Sequence, residues 1–166
     1  MSTSVYFAQP YSIDATGFYF SSLEEYKAKA ASHTDMHGFP VEEYELQFID
    51  GDNHRLFNAL GICQATLTQW FSEFAEFEPE DDDYWKAVYL AENGYAIEDV
   101  LARLDDLMLW HGSAVDYARE LVEDCYDIPE PLRFYIDYDA LARDMRLNGE
   151  INVLETEQGA VLVLGC

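Results

Sequence analysis

Basic residues are what this chain has least of. Nine Lys+Arg stand against 33 Asp+Glu in 166 residues, a formal net charge of −24. A nucleic-acid binder needs a basic stripe to neutralise phosphates, and docking on an anionic leaflet needs Lys/Arg clusters, so both classes are excluded. Cysteine is scarce too. Cys63, Cys125 and Cys166 are odd in number and widely spaced, with no CxxC, which fits a reducing cytosol better than a secreted disulfide framework. No window approaches 18 apolar residues, and Met1-Ser2-Thr3-Ser4 leads into no basic or long apolar segment. The expectation is a soluble cytoplasmic chain without signal peptide or membrane span. The nine glycines are scattered singly, so no phosphate loop or dinucleotide fingerprint is present, and no G-x-S-x-G elbow occurs. No cofactor is expected.

What is present is apolar and aromatic: 49% hydrophobic residues and 15% aromatic. Chains stay disordered when high charge comes with low hydrophobicity, and the second condition fails here. A folded core under an acidic skin follows. The acid is not confined to a tail: the net is −6 over residues 1–60, −10 over 61–110 and −8 over 111–166. Charge spread over every segment belongs to a folded surface.

Patterning gives an α+β reading in three parts. Over 1–60, Val5–Ala8, Gly17–Phe20 and the alternating Glu43–Asp50 read as strands, with Tyr44, Leu46 and Phe48 on one face. Ser22 followed by Glu25 is a capping box, predicting a helix from Leu23 to Ala31 broken by Gly38-Phe39-Pro40. Over 61–105 the chain reads as helical: Leu67, Trp70, Phe71 and Phe74 recur at helical spacing, as do Tyr84, Trp85, Val88 and Ala91, then Ile97, Val100, Leu101 and Leu104. Over 106–166 it mixes again. Leu107–Trp110 is a helix end or a strand, Ser113 caps a helix, Ile136–Met145 reads as another, and Ile151–Leu154 with Val161–Leu164 reads as a hairpin.

Few residues suggest chemistry. His33 and His37 are four apart and on a helix would share a metal-binding face, but Gly38 follows at once, so surface histidines at a helix end are the plainer reading. Asp50-Gly51-Asp52-Asn53-His54 resembles part of a calcium loop, yet its Gly is misplaced and Ile62 stands where the bidentate Glu belongs. Glu78-Pro79-Glu80-Asp81-Asp82-Asp83 could hold a cation loosely, but equally suits a loop ahead of a helix N-terminus. An enzyme gathers its perturbed groups in one pocket; this charge is diffuse, and catalysis is not expected.

Four readings of the acidity compete: DNA mimicry, halophilic adaptation (only Lys27, Lys29 and Lys86 represent lysine), an acidic adaptor for some other basic protein, and a metal-dependent enzyme. A compact chain of this length spans ~40 Å. Its −24 then corresponds to one charge per ~1.7 Å, the axial spacing of B-DNA. The density suffices for mimicry.

The last third narrows the choice. Ser113-x-x-Asp116-Tyr117-Ala118, Ile128-Pro129-Glu130-x-Leu132 and Tyr135-Ile136-Asp137-Tyr138-Asp139-Ala140-Leu141-Ala142-Arg143-Asp144, then Asn148-Gly149, resemble the ArdA antirestriction family. Val5–Ala8 and the Gly17-aromatic strand resemble its opening, although the loop between them is short; the middle third matches in acidity and helical character. The resemblance implies an elongated acidic mimic of bent B-form DNA, made of three small domains in a row: 1–60, 61–105 and 106–166. It implies a homodimer joined through the C-terminal domain. It also implies an origin on bacterial mobile elements and, as partner, the methyltransferase–specificity core of a type I restriction-modification enzyme, whose DNA site is occupied without any cofactor. Cys125–Tyr138 matches the family's antirestriction motif, beside the dimer contact.

On that footing Glu73, Glu76, Glu78 and Glu80, the run Asp81, Asp82 and Asp83, and the pair Asp105 and Asp106 are candidate phosphate surrogates. Glu123, Asp124, Asp127, Glu130, Asp137 and Asp139 continue the track. Pro129, Leu132, Tyr135, Ile136 and Tyr138 belong to the motif, and for Leu132, Tyr135, Ile136 and Tyr138 packing in the domain core or the dimer contact is expected. Arg143 and Asp144 are expected to pair.

Overall fold

The computed structural model describes residues 3–165; the readings made on Met1, Ser2 and Cys166 lie outside them. The chain is α+β and divides into two compact units, residues 1–101 and 102–166, each with its own three-stranded antiparallel sheet.

In the first unit β1 (Val5–Pro10) is the central strand, flanked by β2 (Phe18–Phe20) and β3 (Tyr44–Asp50). The register sets Tyr6 opposite Phe20 on one side and Phe48 on the other. Alternation therefore stacks aromatic side chains on one face of the sheet. Gly17 is required before β2, because a Cβ there would fall 2.3 Å from the Phe7 ring and 2.5 Å from the Ala8 carbonyl.

Helix α1 (Leu23–Ala31) starts as the capping box dictates: the Glu25 amide donates to Ser22 Oγ at 3.1 Å and the Ser21 amide donates to Glu25 Oε2 at 2.8 Å. His33 and His37 lie beyond its end and do not share a helix face. The His33 ring packs against Phe18 and Tyr44, while His37 Nε2 sits 3.7 Å from Asp14. Asp50–Asn53 forms the turn from β3 into α2 (His54–Leu60), which ends at Gly61 in the left-handed conformation.

Helix α3 (Leu67–Gln69) runs into a π-helical turn, Trp70–Phe74, where the Ala75 amide reaches back to the Trp70 carbonyl at 2.9 Å. Helix α4 (Asp82–Glu92) buries Tyr84, Trp85, Ala87, Val88, Leu90 and Ala91, and α5 (Ile97–Arg103) follows. The sheet and these helices share one core: the buried Tyr6 ring touches Phe20, Phe48, Phe57 and Phe71.

In the second unit a 3₁₀ turn (Leu104–Asp106) leads to β4 (Met108–Trp110), so Leu107–Trp110 resolves as a strand after one residue. Helices α6 (Ala114–Cys125) and α7 (Tyr138–Leu147) are separated by a 3₁₀ segment, Glu130–Tyr135. The hairpin of β5 (Asn152–Thr156) and β6 (Gly159–Leu164) completes the sheet, with β6 in the middle. Ala118, Ala142, Met145, Ile151, Leu162 and Leu164 form the core.

One expectation needs correction, and another is narrowed from two alternatives to the dimer contact. Helix α7 starts at Tyr138 rather than Ile136, because Asp137 Oδ1 accepts from the Ala140 amide at 3.0 Å and fixes the N-terminus there. Leu132 and Tyr135 do not enter the core: they are 54% and 84% exposed, since the 3₁₀ segment between Pro129 and Ile136 buries none of its residues. Ile136 and Tyr138 are half-buried.

A candidate acidic recognition surface

The acids are entirely superficial. Of all 33 carboxylates only Glu25 and Asp35 are partly buried, and the others are exposed. The reason is energetic: a carboxylate taken into an apolar interior without a partner costs several kcal/mol, on the order of many surface contacts together. The two exceptions are held by hydrogen bonds. The Lys29 ammonium and the Ser21 amide keep the Glu25 carboxyl below its ordinary pKa. The amides of Phe39 and His37 do the same for Asp35 and tie the loop after α1.

The few cations are largely consumed at home. Lys29 pairs with Glu25, Arg55 with Glu92, Lys86 with Asp83, Arg119 with Asp116, Arg133 with Glu130 and Arg143 with Asp144. The expected Arg143–Asp144 pair thus forms, at 3.6 Å and in solvent. Exposed pairs of this kind contribute about 0–1 kcal/mol each. Their larger effect is to leave little positive charge that could shield the rest of the surface.

Every candidate phosphate surrogate is exposed, and most sit on ordered backbone. Glu73 projects from the π turn and accepts from Gln69 Nε2 at 2.8 Å; Glu76, Glu78 and Glu80 follow it toward α4. Asp81 occupies the N-cap position of α4, with Asp82 and Asp83 in its first turn, where the helix dipole favours negative charge. Asp105 and Asp106 lie in the 3₁₀ turn before β4. Glu123 and Asp124 end α6, Asp127 follows it, Glu130 opens the 3₁₀ segment, and Asp137 and Asp139 start α7. Asp83, Glu130 and Asp137 carry structural duties as well, the first two as ion-pair partners and the third as a cap.

Three concavities take in some of these residues, one of them through Asp139 beside Arg143 and Arg146. In the first unit Glu76 and Glu78 line a groove of about 550 Å³ together with Glu24 and Asp52, two acids outside the expected set of phosphate surrogates. They come from different elements, and the Asn53 side chain, donating to the Ala75 carbonyl at 2.9 Å, ties the β3–α2 turn to the end of the π turn. In the second unit Glu123 lines a smaller pocket, about 190 Å³, with Tyr126, Ile128, Arg133, Phe134 and Tyr138. Phe134 is 92% exposed and Tyr126 65%. Leu132 and Tyr135 are exposed in the same Cys125–Tyr138 segment; the run Leu132-Arg133-Phe134-Tyr135 was the available signal for Phe134.

Comparison with known families decides what kind of protein carries this surface. The family model described as antirestriction protein (ArdA) matches residues 17–160. The chain belongs to the ArdA family. ArdA proteins are inhibitors rather than enzymes, so the family assigns an antirestriction role and a restriction enzyme as the kind of partner. A search of curated proteins returns no match. The matched span takes in the first sheet from β2 onward, the acidic helices and the motif segment of the ArdA chain. Among the described residues no helix is long and apolar enough to cross a membrane.

Proposed function

We propose that this ArdA protein is an acidic mimic of B-form DNA. It occupies the DNA-binding cleft of a type I restriction-modification enzyme, on the methyltransferase–specificity core, and blocks restriction. One observation supports the reading most: the carboxylates are exposed, little shielded by cations, and mounted largely on helices and turns. Carboxylates held in place lose little entropy on docking, and a basic cleft releases the same counterions to them as to phosphates. Mimicry of this sort needs no cofactor and no catalysis.

The elongated form, the homodimer and a row of three parts, 1–60, 61–105 and 106–166, belong to the same proposal, with the first two parts sharing a core. So do the cytoplasmic setting and an origin on mobile elements. For the dimer the supporting observation is the exposed patch of Leu132, Phe134 and Tyr135 in the motif, an apolar surface of the kind that marks protein contacts. The half-buried Ile136 and Tyr138 flank it, and Pro129 fixes its entry.

The test is a binding titration against a type I methyltransferase core across ionic strength, with duplex DNA as competitor. Mimicry requires log K to fall linearly with log salt and DNA to displace the protein. A curve moved by neither rejects it. Melting across the same salt range separates adaptation to brine, which would make folding itself depend on molar salt.

A further inference from the structure

Four large apolar side chains of the first unit stand in solvent on two loops that are tied together. Tyr11 and Ile13 lie between β1 and β2 and are 67% and 98% exposed. Met36 and Phe39 lie between α1 and β3 and are 76% and 66% exposed. The loops are joined at two points: the Tyr11 amide donates to the Glu43 carbonyl at 3.2 Å, and the Met36 amide donates to the Asp14 carbonyl at 2.9 Å. The second loop also closes on itself. The Asp35 amide donates to the Phe39 carbonyl at 2.9 Å, and Asp35 Oδ1 accepts from the amides of His37 and Phe39. Hydrogen bonds thus shape the loop tips, and these four side chains leave most of their surface in water. Single exposed apolar residues are ordinary, but four on loops cross-linked backbone to backbone are not scattered. Large side chains on a preorganised backbone lose little entropy when a partner covers them.

The neighbouring charge says what kind of partner that is. Asp14, Glu42 and Glu43 are exposed in the same loops, which contain no Lys or Arg. A second copy would set carboxylate against carboxylate, which opposes self-association here. A pocket with an apolar floor and a basic rim is complementary on both counts, and basic residues are what an enzyme uses to hold phosphates. The family assigns a restriction enzyme, which acts on DNA, as the kind of partner.

We propose that these two loops are an apolar anchor that seats in a hydrophobic pocket at the basic margin of the restriction enzyme's DNA site. The inference rests on the proposed mimicry and adds to it a contact that a phosphate cannot make. Charge supplies an attraction common to DNA sites, and the anchor selects among the enzymes that share it.

Full-length Ile13→Ser, Met36→Ser is titrated against the methyltransferase core across ionic strength, beside the wild type and the charge variant Asp105→Asn, Asp106→Asn. The anchor variant removes no charge. Its affinity should fall at least about tenfold at every salt concentration, with the slope of log K against log salt unchanged. The charge variant should flatten that slope instead. Tyr11→Ser, Phe39→Ser replaces the other two side chains and should give the same parallel displacement, so the result does not hang on the folding of one variant. Ile13→Val, Met36→Leu keeps the apolar surface and should bind as the wild type does. Unchanged affinity in both Ser variants overturns the anchor, and so does an equal loss in the Val and Leu variant.

Sedimentation of the free chain supplies the other outcome. A shift toward monomer in the Ser variants assigns the loops to a contact between copies and overturns the enzyme pocket. A wild-type chain that never binds the core removes mimicry and anchor together. Failure of the anchor alone leaves the wild-type curve and its salt slope intact.

Discussion

Trp70 Nε1 donates a hydrogen bond to the Tyr6 hydroxyl at 3.0 Å, across 64 positions of sequence and with both residues essentially sealed from solvent. The bond ties β1 to the π turn and thereby the first sheet to the helical stretch that carries the acidic run. Residues 1–60 and the helices after them consequently share a core within one compact unit.

Tyr6→Phe keeps the ring contacts and strands the Trp70 N–H in the core. An unpaired buried donor costs about 1–3 kcal/mol. Urea unfolding should show that loss with little change in the slope of the transition. Trp70→Phe in the same background should recover part of it only if the stranded donor is the cause.

Burial raises the pKa of the Tyr6 hydroxyl, and it raises that of Tyr44 as well. The folded state therefore holds these protons more tightly than the unfolded chain. Their contribution to stability is full below the unfolded tyrosine value, about 10, and is lost as pH rises through the higher folded values. Melting temperature should fall between pH 9 and 11 more steeply in the wild type than in Tyr44→Phe.

Asp35 gives the opposite sign. Amide hydrogen bonds lower its pKa, so its contribution is present above the unfolded aspartate value of about 4 and disappears as pH falls through the folded one. The protection of the His37 and Phe39 amides, taken relative to the intrinsic exchange rate at each pH, should fall on acidification, and Asp35→Asn should flatten that dependence.

Asp137 separates cap from charge. Asn caps a helix about as well as Asp, while Ala costs about 0.5–2 kcal/mol. Asp137→Asn should leave the thermal midpoint nearly unchanged and still reduce affinity for the restriction enzyme. Asp137→Ala should lower both.

The exposed motif patch predicts assembly without stability. Phe134→Ser and Tyr135→Ser remove apolar surface that is 92% and 84% exposed, so unfolding curves should barely move. Sedimentation should shift toward monomer if this patch joins two copies.

Local signals carried much of the fold. Ser22 and Glu25 gave α1 from Leu23 to Ala31, and the alternation of Tyr44, Leu46 and Phe48 gave β3. These depend on neighbours within a turn or a pleat. The π turn was not legible, because Trp70 and Phe74 fit ordinary helical spacing equally well. Nor was the exposure of Leu132 and Tyr135: residue type favours burial only where another element arrives to cover it, and none does over Glu130–Tyr135. For the acidic surface the residue types and the family were legible. The meeting of Glu24 and Asp52 with Glu76 and Glu78 was not, since it depends on long-range packing.

The segregation of carboxylates from the interior bears on divergence. Because few acids hold the scaffold together, most can be exchanged, moved by a residue or lost one at a time without unfolding it. Substitution can therefore retune the negative face with little cost to folding, while exchanges at aromatic positions such as Tyr6 and Trp70 disturb the core directly.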